Sequence, residues 1–240
     1  MSRLVNRFKN AESLAKAAAE EFVSKIAALT AEKPIVNVML TGGTIGIATL
    51  AAIAEREDAH LLDWSKIHVW WGDERFVAAD SADRNAMQAR NAMLSRLPVV
   101  EANVHEFAAD DGLISLEEAA SLFAAELAVI KPNFDMAFVG MGPDGHICSL
   151  FPDKEMPEPG ALVVAEHDSP KPPPQRLSFT YEAMNSVDEL WFVVAGADKA
   201  DAIEIVFGDN PESLPAGRVR GAQKTIWFVD QTAATKTWGC

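Results

Sequence analysis

The residue best placed by sequence to move a proton is a histidine held in a glycine-lined turn. The segment Val139-Gly-Met-Gly-Pro-Asp-Gly-His-Ile-Cys-Ser-Leu-Phe-Pro152 follows an apolar run and sets Gly140, Gly142 and Gly145 ahead of His146. An imidazole has an ordinary pKa of about 6.5, close to working pH, so in such a turn it is a candidate general base. Asp144 is presented by the same turn. His60, His68, His105 and His167 lack that setting, and for an arbitrary histidine a packing or surface role is the more frequent one. The glycines also spell G-x-G-x-x-G, with Glu166 about 20 residues on, which is the spacing of a dinucleotide-binding loop. That motif needs a helix directly after the turn. Pro152, Pro157 and Pro159 interrupt the chain before one could run, so the glycines are read as shaping the turn that carries Asp144 and His146.

Three cations and one glycine loop suggest what such a base would act on. Arg75 ends Trp70-Trp-Gly-Asp-Glu-Arg75, directly after an apolar run, where a guanidinium can fork onto phosphate oxygens. Asp73 and Glu74 would hold it or bind sugar hydroxyls; a solvated ion-pair cluster is an equal alternative. Arg176 opens a strand after Pro172-Pro-Pro-Gln175. Lys199 falls one turn into a helix, in Ala195-Gly-Ala-Asp-Lys199, where the helix dipole disfavours a cation. That cost points to an anionic partner, either Asp or a ligand, although a solvent-facing lysine is the plainer reading of Lys199 alone. Leu40-Thr-Gly-Gly-Thr-Ile-Gly46 places Gly42, Gly43 and Thr44 where backbone N–H groups open a helix, a ready anion site. It lacks the Lys-Ser/Thr of a Walker loop, and a plain strand-to-helix turn fits it as well.

The elements that must position these residues alternate. Strands are expected at Ile35–Leu40, Ile67–Trp71, Val104–Phe107, Phe134–Val139, Leu162–Ala165, Arg176–Thr180, Leu190–Ala195 and Thr225–Val229. Helices are expected over Met1–Ala31, Ile45–Arg56, Asp83–Leu94, from the capping box Ser115-Leu-Glu-Glu118 to Ile130, over Asp198–Phe207, and briefly at Asp230–Thr235. Strand followed by helix, repeated, predicts an α/β fold, a mainly parallel sheet with helices on both faces, in a Rossmann-like three-layer sandwich. Ligands in such folds bind beyond the carboxyl ends of the strands, where all the loops above fall.

Length and composition narrow the class. A chain of 240 residues, 49% hydrophobic and 23% charged, suits one α/β domain over 1–240. Cys148 and Cys240 form no disulfide framework and fit a reducing compartment. No apolar run has membrane-spanning length and no signal peptide is evident, so a cytoplasmic protein is expected. The net charge of −14 repels nucleic acid and anionic membranes.

Taken together, these loops resemble the 6-phosphogluconolactonase family of the pentose phosphate pathway. The matching segments are Leu40–Gly43, Trp71–Arg75, Gly140–Pro152, Arg176 after its prolines, Gly196–Lys199 and Trp227–Ala234, in the family's order and across nearly the whole chain. Gly-Pro-Asp-Gly-His-x-x-Ser-Leu-Phe-Pro is the most specific of them. The resemblance implies a doubly wound α/β sheet, shared with glucosamine-6-phosphate deaminases. It implies His146 as general base with Asp144 beside it, and Arg75, Arg176 and Lys199 around a substrate phosphate. Gly42, Gly43 and Thr44 fall on the phosphate side, and Asp73 is taken as substrate-binding on its own chemistry, through sugar hydroxyls. The implied reaction is hydrolysis of 6-phospho-D-glucono-1,5-lactone with no metal and no organic cofactor, by a monomer or small homo-oligomer. The chain departs from the family at Thr44-Ile-Gly46 and at Cys148, where alanine is usual. The alternatives are a deaminase-like isomerase on the same fold and a non-catalytic sugar-phosphate-binding protein. The first is disfavoured because Cys148-Ser-Leu-Phe-Pro152 offers no further carboxylate.

Overall fold

A computed structural model describes residues 2–237, and all that follows concerns them; Cys240 lies outside the described residues. The chain runs β1 (Ser2–Phe8), α1 (Ala11–Glu32), β2 (Val36–Leu40), α2 (Thr44–Ala54), β3 (Ile67–Trp71), β4 (Asp73–Arg75), α3 (Asn85–Ala92) and α4 (Leu116–Ile130). It continues through β5 (Phe134–Gly140), β6 (Val163–Glu166), β7 (Arg176–Phe179), α5 (Tyr181–Asn185), β8 (Glu189–Val194), α6 (Ala200–Val206) and β9 (Lys224–Asp230). Among the described residues, six parallel strands form one sheet in the order β1-β9-β8-β5-β2-β3.

The central strands are near-continuous apolar runs because a parallel sheet is covered on both faces. Every residue of β2 and of β8 is buried. Trp70, Trp71, Trp191 and Trp227 are among the largest wholly buried side chains. On α1 the stripe Leu14, Ala18, Phe22 and Ile26 packs inward. Its start is fixed by Asn10, whose side chain accepts from the Ser13 N–H while Ser13 reaches back to the Asn10 N–H. The expected box at Ser115 and Glu118 opens α4 in the same reciprocal manner.

From β2 the chain crosses to β3 on one side, and β5 then lies on the other side of β2. The connections leaving β2 and β5 therefore diverge, and the crevice between them at their carboxyl ends is the topological switch point. Thr41–Gly43 leaves β2 there and Met141–His146 leaves β5 there.

Four expectations are corrected. The amino-terminal segment is not helical throughout: β1 pairs with β9 from Ser2↔Lys224 to Phe8↔Asp230. An edge strand whose partner lies more than 200 residues away has no local signature, and the helical period of α1 reads back through it. Val104–Phe107 makes only an isolated parallel bridge, Val69↔Val104. The segment after β9 forms turns rather than a helix. Finally, β6 and β7 do not join the parallel sheet. With β4 they form a separate antiparallel sheet in the order β4-β7-β6, and a single residue, Gly72, separates the end of β3 from the start of β4.

Candidate active site

That small sheet decides where the arginines go. Arg75 pairs with Arg176, and Arg176 pairs with Glu166. Directly opposed residues in an antiparallel sheet share a face, so two guanidinium groups stand side by side with a carboxylate beyond them. Arg176 is almost wholly buried. Its Nε donates to the Pro173 carbonyl at 3.1 Å and its Nη2 to the Lys171 carbonyl at 2.9 Å, while Nη1 lies 3.9 Å from Asp73 Oδ2. Burial pulls its guanidinium below the ordinary value, against the opposing pull of Asp73. The Nη1 of Arg75 donates to the Asp83 carbonyl at 2.5 Å, and its Nε is buried without a protein partner.

Asp73 and Glu74 divide into two roles. Asp73 Oδ2 accepts from Ser149 Oγ at 2.7 Å and Asp73 Oδ1 from Asn85 Nδ2 at 3.2 Å, which ties β4 to the His146 turn and to the start of α3. Glu74 is wholly buried. It accepts backbone N–H groups of Arg75, Asn85 and Ala86 and lies 3.8 Å from the buried Arg84. Burial pushes its carboxyl up despite those partners. Of the two, Asp73 faces the crevice and Glu74 fastens the scaffold.

At the carboxyl end of β5 the chain turns back on itself: the Gly142 N–H donates to the His146 carbonyl and the Gly145 N–H to that of Gly142. Gly145 needs its φ of 78°. Gly142 needs to lack a side chain, since a Cβ there would lie 2.0 Å from His146 Nδ1 and 2.4 Å from Asp144 Oδ1. No helix follows until α5, as the prolines required. His146 Nδ1 stands 2.5 Å from Asp144 Oδ1. So close an approach to a carboxylate requires a proton between them, so Nδ1–H donates to Asp144 and Nε2 is left with its lone pair. The ring rests against Phe151, centroids 4.7 Å apart. Burial pulls the imidazole below its ordinary value, opposed by the bond to Asp144. Burial pushes Asp144 up, but His146 outweighs it and holds the carboxyl below its usual range.

One cavity of about 560 Å³ at the switch point gathers these groups. Gly42, Gly43, Thr44, Asp73, Arg75, His146, Arg176 and Lys199 all line it, and Asp144 reaches it through His146. Lys199 sits in a 3-10 turn leading into α6 and pairs with Asp198 at 2.8 Å. Gly43 starts α2 with a φ of 80°, and Thr44 and Ile45 at the start of that helix line the cavity. Cys148, which also lines it, takes a left-handed φ of 47°. Burial pushes its thiol well up.

Sequence reasoning missed two participants. Lys171 lines the cavity with its Nζ 3.1 Å from His146 Nδ1 and 3.5 Å from Asp144 Oδ1. It sits among prolines in a loop without periodicity, and only its nearness to Arg176 in sequence could have flagged it. Asp230 accepts from the Gly196 and Ala233 N–H groups and from the Thr232 hydroxyl, and so anchors the turn that carries Lys199. Among the described residues, no three His, Cys, Asp or Glu side chains are grouped to hold a metal ion, and no helix is long and apolar enough to cross a membrane.

Fold and cavity together define an α/β protein with a cation-lined pocket and a histidine–carboxylate pair at the carboxyl edge of a parallel sheet. Residues 9–227 match the profile of the family described as glucosamine-6-phosphate isomerases/6-phosphogluconolactonase. A 6-phosphogluconolactonase of Mycobacterium tuberculosis is 40% identical over 246 residues, covering 98% of this chain and 99% of that one. A 6-phosphogluconolactonase of Streptomyces coelicolor is 38% identical, covering 95% and 92%. The crystal structure of 6-phosphogluconolactonase from Thermotoga maritima superposes with a TM-score of 0.85 at 30% identity, covering 96% of this chain and all of the other. A monomeric glucosamine-6-phosphate deaminase shares the fold, with a TM-score of 0.79 at 18% identity. The chain belongs to the glucosamine-6-phosphate isomerase/6-phosphogluconolactonase family.

Proposed function

We propose that the pocket hydrolyses 6-phospho-D-glucono-1,5-lactone to 6-phosphogluconate, with His146 as the base that activates water. The observation that carries this reading is the 2.5 Å contact of Nδ1 with Asp144 inside a cavity lined by Arg75, Arg176 and Lys199. With Nδ1 committed, Nε2 is the ring nitrogen left to take a proton from water. The lactone carbonyl is already electrophilic, so no covalent nucleophile is needed, and the sequence contains no G-x-S-x-G elbow. Water attacks C1 as its proton passes to Nε2. The ring C1–O bond then breaks, and the imidazolium returns the proton to the departing ring oxygen. Asp144 orients the ring and supports its charged form. Far from C1, the phosphate is held by the cations and by the opening N–H groups of α2, so that distant binding energy positions the reacting carbonyl. Asp73 accepts from substrate hydroxyls.

The enzyme acts as one domain in the cytoplasm on a small phosphorylated lactone, and its net negative surface disfavours nucleic acid. A coupled assay of 6-phosphogluconate formation from freshly made lactone, with spontaneous hydrolysis subtracted, tests the reading. Ammonia release from glucosamine 6-phosphate without lactone turnover would replace it with the deaminase.

A further inference from the structure

His146 has two charged neighbours of opposite sign at one ring nitrogen, and only one of them is explained by orienting a base. Asp144 takes the Nδ1 proton. The Lys171 ammonium stands 3.1 Å from the same nitrogen and 3.5 Å from the carboxylate oxygen that Nδ1 addresses. A protonated Nδ1 offers the ammonium no lone pair, so its position is set by sharing Asp144 Oδ1 with the imidazole. Its chain is not locked in the core: about two fifths of the side chain is exposed, and it lines the cavity together with Lys199 and Arg176. It feels the positive charge of both. A partly exposed ammonium attracted by one carboxylate and repelled by two like charges is drawn toward any dianion that enters among those cations.

We propose that Lys171 couples occupancy of the phosphate end of the pocket to the basicity of His146: in the empty protein its ammonium leans on the imidazole–carboxylate pair, and a bound phosphate draws it away. Two consequences have the same sign. The imidazole loses a positive neighbour, and Asp144 no longer divides its oxygen between two donors. The groups facing His146 are Asp144 on its own turn, Lys171 on the loop before β7, and Asp73 on β4. Of these, Lys171 alone is cationic, and its side chain is partly exposed. The base is then weakest when the site is empty and strengthens when a phosphorylated substrate is present, which discriminates by reactivity as well as by affinity. Lys171 is thus a positioning residue. The inference rests on the phosphate lying among the cations, and its test is independent of turnover.

The test is an NMR titration of the His146 imidazole in the full chain, alone and with saturating glucitol 6-phosphate, which carries the phosphate handle and no carboxylate at C1. The wild-type midpoint is expected to rise by about one pH unit on binding, the scale of a single nearby charge. In Lys171→Met the unliganded midpoint is already raised and the ligand-induced rise is mostly lost; Lys171→Arg restores the wild-type pattern. Equal ligand-induced shifts in wild type and Lys171→Met would overturn the inference, because the phosphate would then act on the ring directly. An unshifted wild-type midpoint with ligand bound would overturn it as well. If the wild type fails to hydrolyse the lactone while the midpoints move as described, the assigned reaction fails and the coupling stands.

Discussion

Among the described residues, His146 and His105 each meet a carboxylate through Nδ1, and the two pairs are used differently. His146 Nδ1 meets Asp144 at 2.5 Å, and His105 Nδ1 meets Glu126 at 2.9 Å. At the second pair the other nitrogen is consumed, since His105 Nε2 lies 2.9 Å from His68 Nδ1. The His105 ring also stacks on Trp70, with centroids 3.8 Å apart and planes at 5°. That pair sits where α4 covers β3, with a packed ring and both nitrogens bound. At His146 the ring lines a cavity and Nε2 keeps its lone pair. A carboxylate behind an imidazole therefore does not mark a base by itself; what faces the second nitrogen does.

The sharpest way to break this contrast is to remove each ring. His146→Ala is expected to lower kcat by about 10²–10⁴, the range for losing a general base, with the melting temperature nearly unchanged. His105→Ala should do the opposite. It loses a stacked ring and two hydrogen bonds and should melt several degrees lower, at about 2–4 °C per kcal/mol for a chain of this size, with kcat intact. Steady-state kinetics and thermal denaturation of both variants decide it; near-normal turnover without His146 would leave the two pairs equivalent.

A smaller perturbation leaves both side chains of the active pair in place. Gly142→Ala puts a methyl where His146 Nδ1 and Asp144 Oδ1 now meet, so the pair must separate. Turnover should fall about 10–100-fold, as expected when a catalytic group is displaced by roughly an ångström, while the fold persists. An unchanged kcat would show that the pair's geometry is not what distinguishes it from His105–Glu126. Arg75→Ala asks whether the cations bind phosphate. KM for the phosphorylated lactone should rise about 10-fold or more, the worth of a charge-assisted hydrogen bond, with little change for the unphosphorylated lactone. Equal losses on both substrates would remove Arg75 from the phosphate.

The difference between the two pairs was half legible in the sequence. Glycines and a proline around His146 announced a turn, and the apolar run before it announced a strand, so the general location of the base followed from local chemistry. The parallel strands β2, β3, β5, β8 and β9 were legible for the same reason, as short apolar runs closed by glycine or charge. What was not legible depends on distant partners. β1 is a strand because β9 is there to pair with it. β4 is three charged residues that extend only because β7 lies antiparallel beside them, and this pairing brings Arg75 level with Arg176. Lys171 reaches His146 from a proline loop 25 residues later, a contact no local pattern encodes. His105–Glu126 spans a loop and a helix, and nothing in either segment suggested the pair.

The finest discrimination is by pH. Burial holds both His146 and His68 below the ordinary value of 6.5; at His146 the bond to Asp144 opposes this, and at His68 the neighbouring His105 adds to it. For catalysis the base must be neutral. A lowered value therefore keeps His146 competent into mildly acid solution, and the acid limb of kcat/KM should fall below that of an ordinary histidine. For stability, the unfolded chain binds these protons more readily than the folded one, so stability is lost as pH falls through about 6.5. Both histidines contribute to that loss, whereas only His146 contributes to the rate. His68→Gln should therefore soften the acid destabilisation seen in melting curves between about pH 7 and 5 and leave the kcat/KM limb where it was. A limb that moves with His68→Gln would mean that the two regions communicate, and the separation drawn between the packed pair and the open one would not hold.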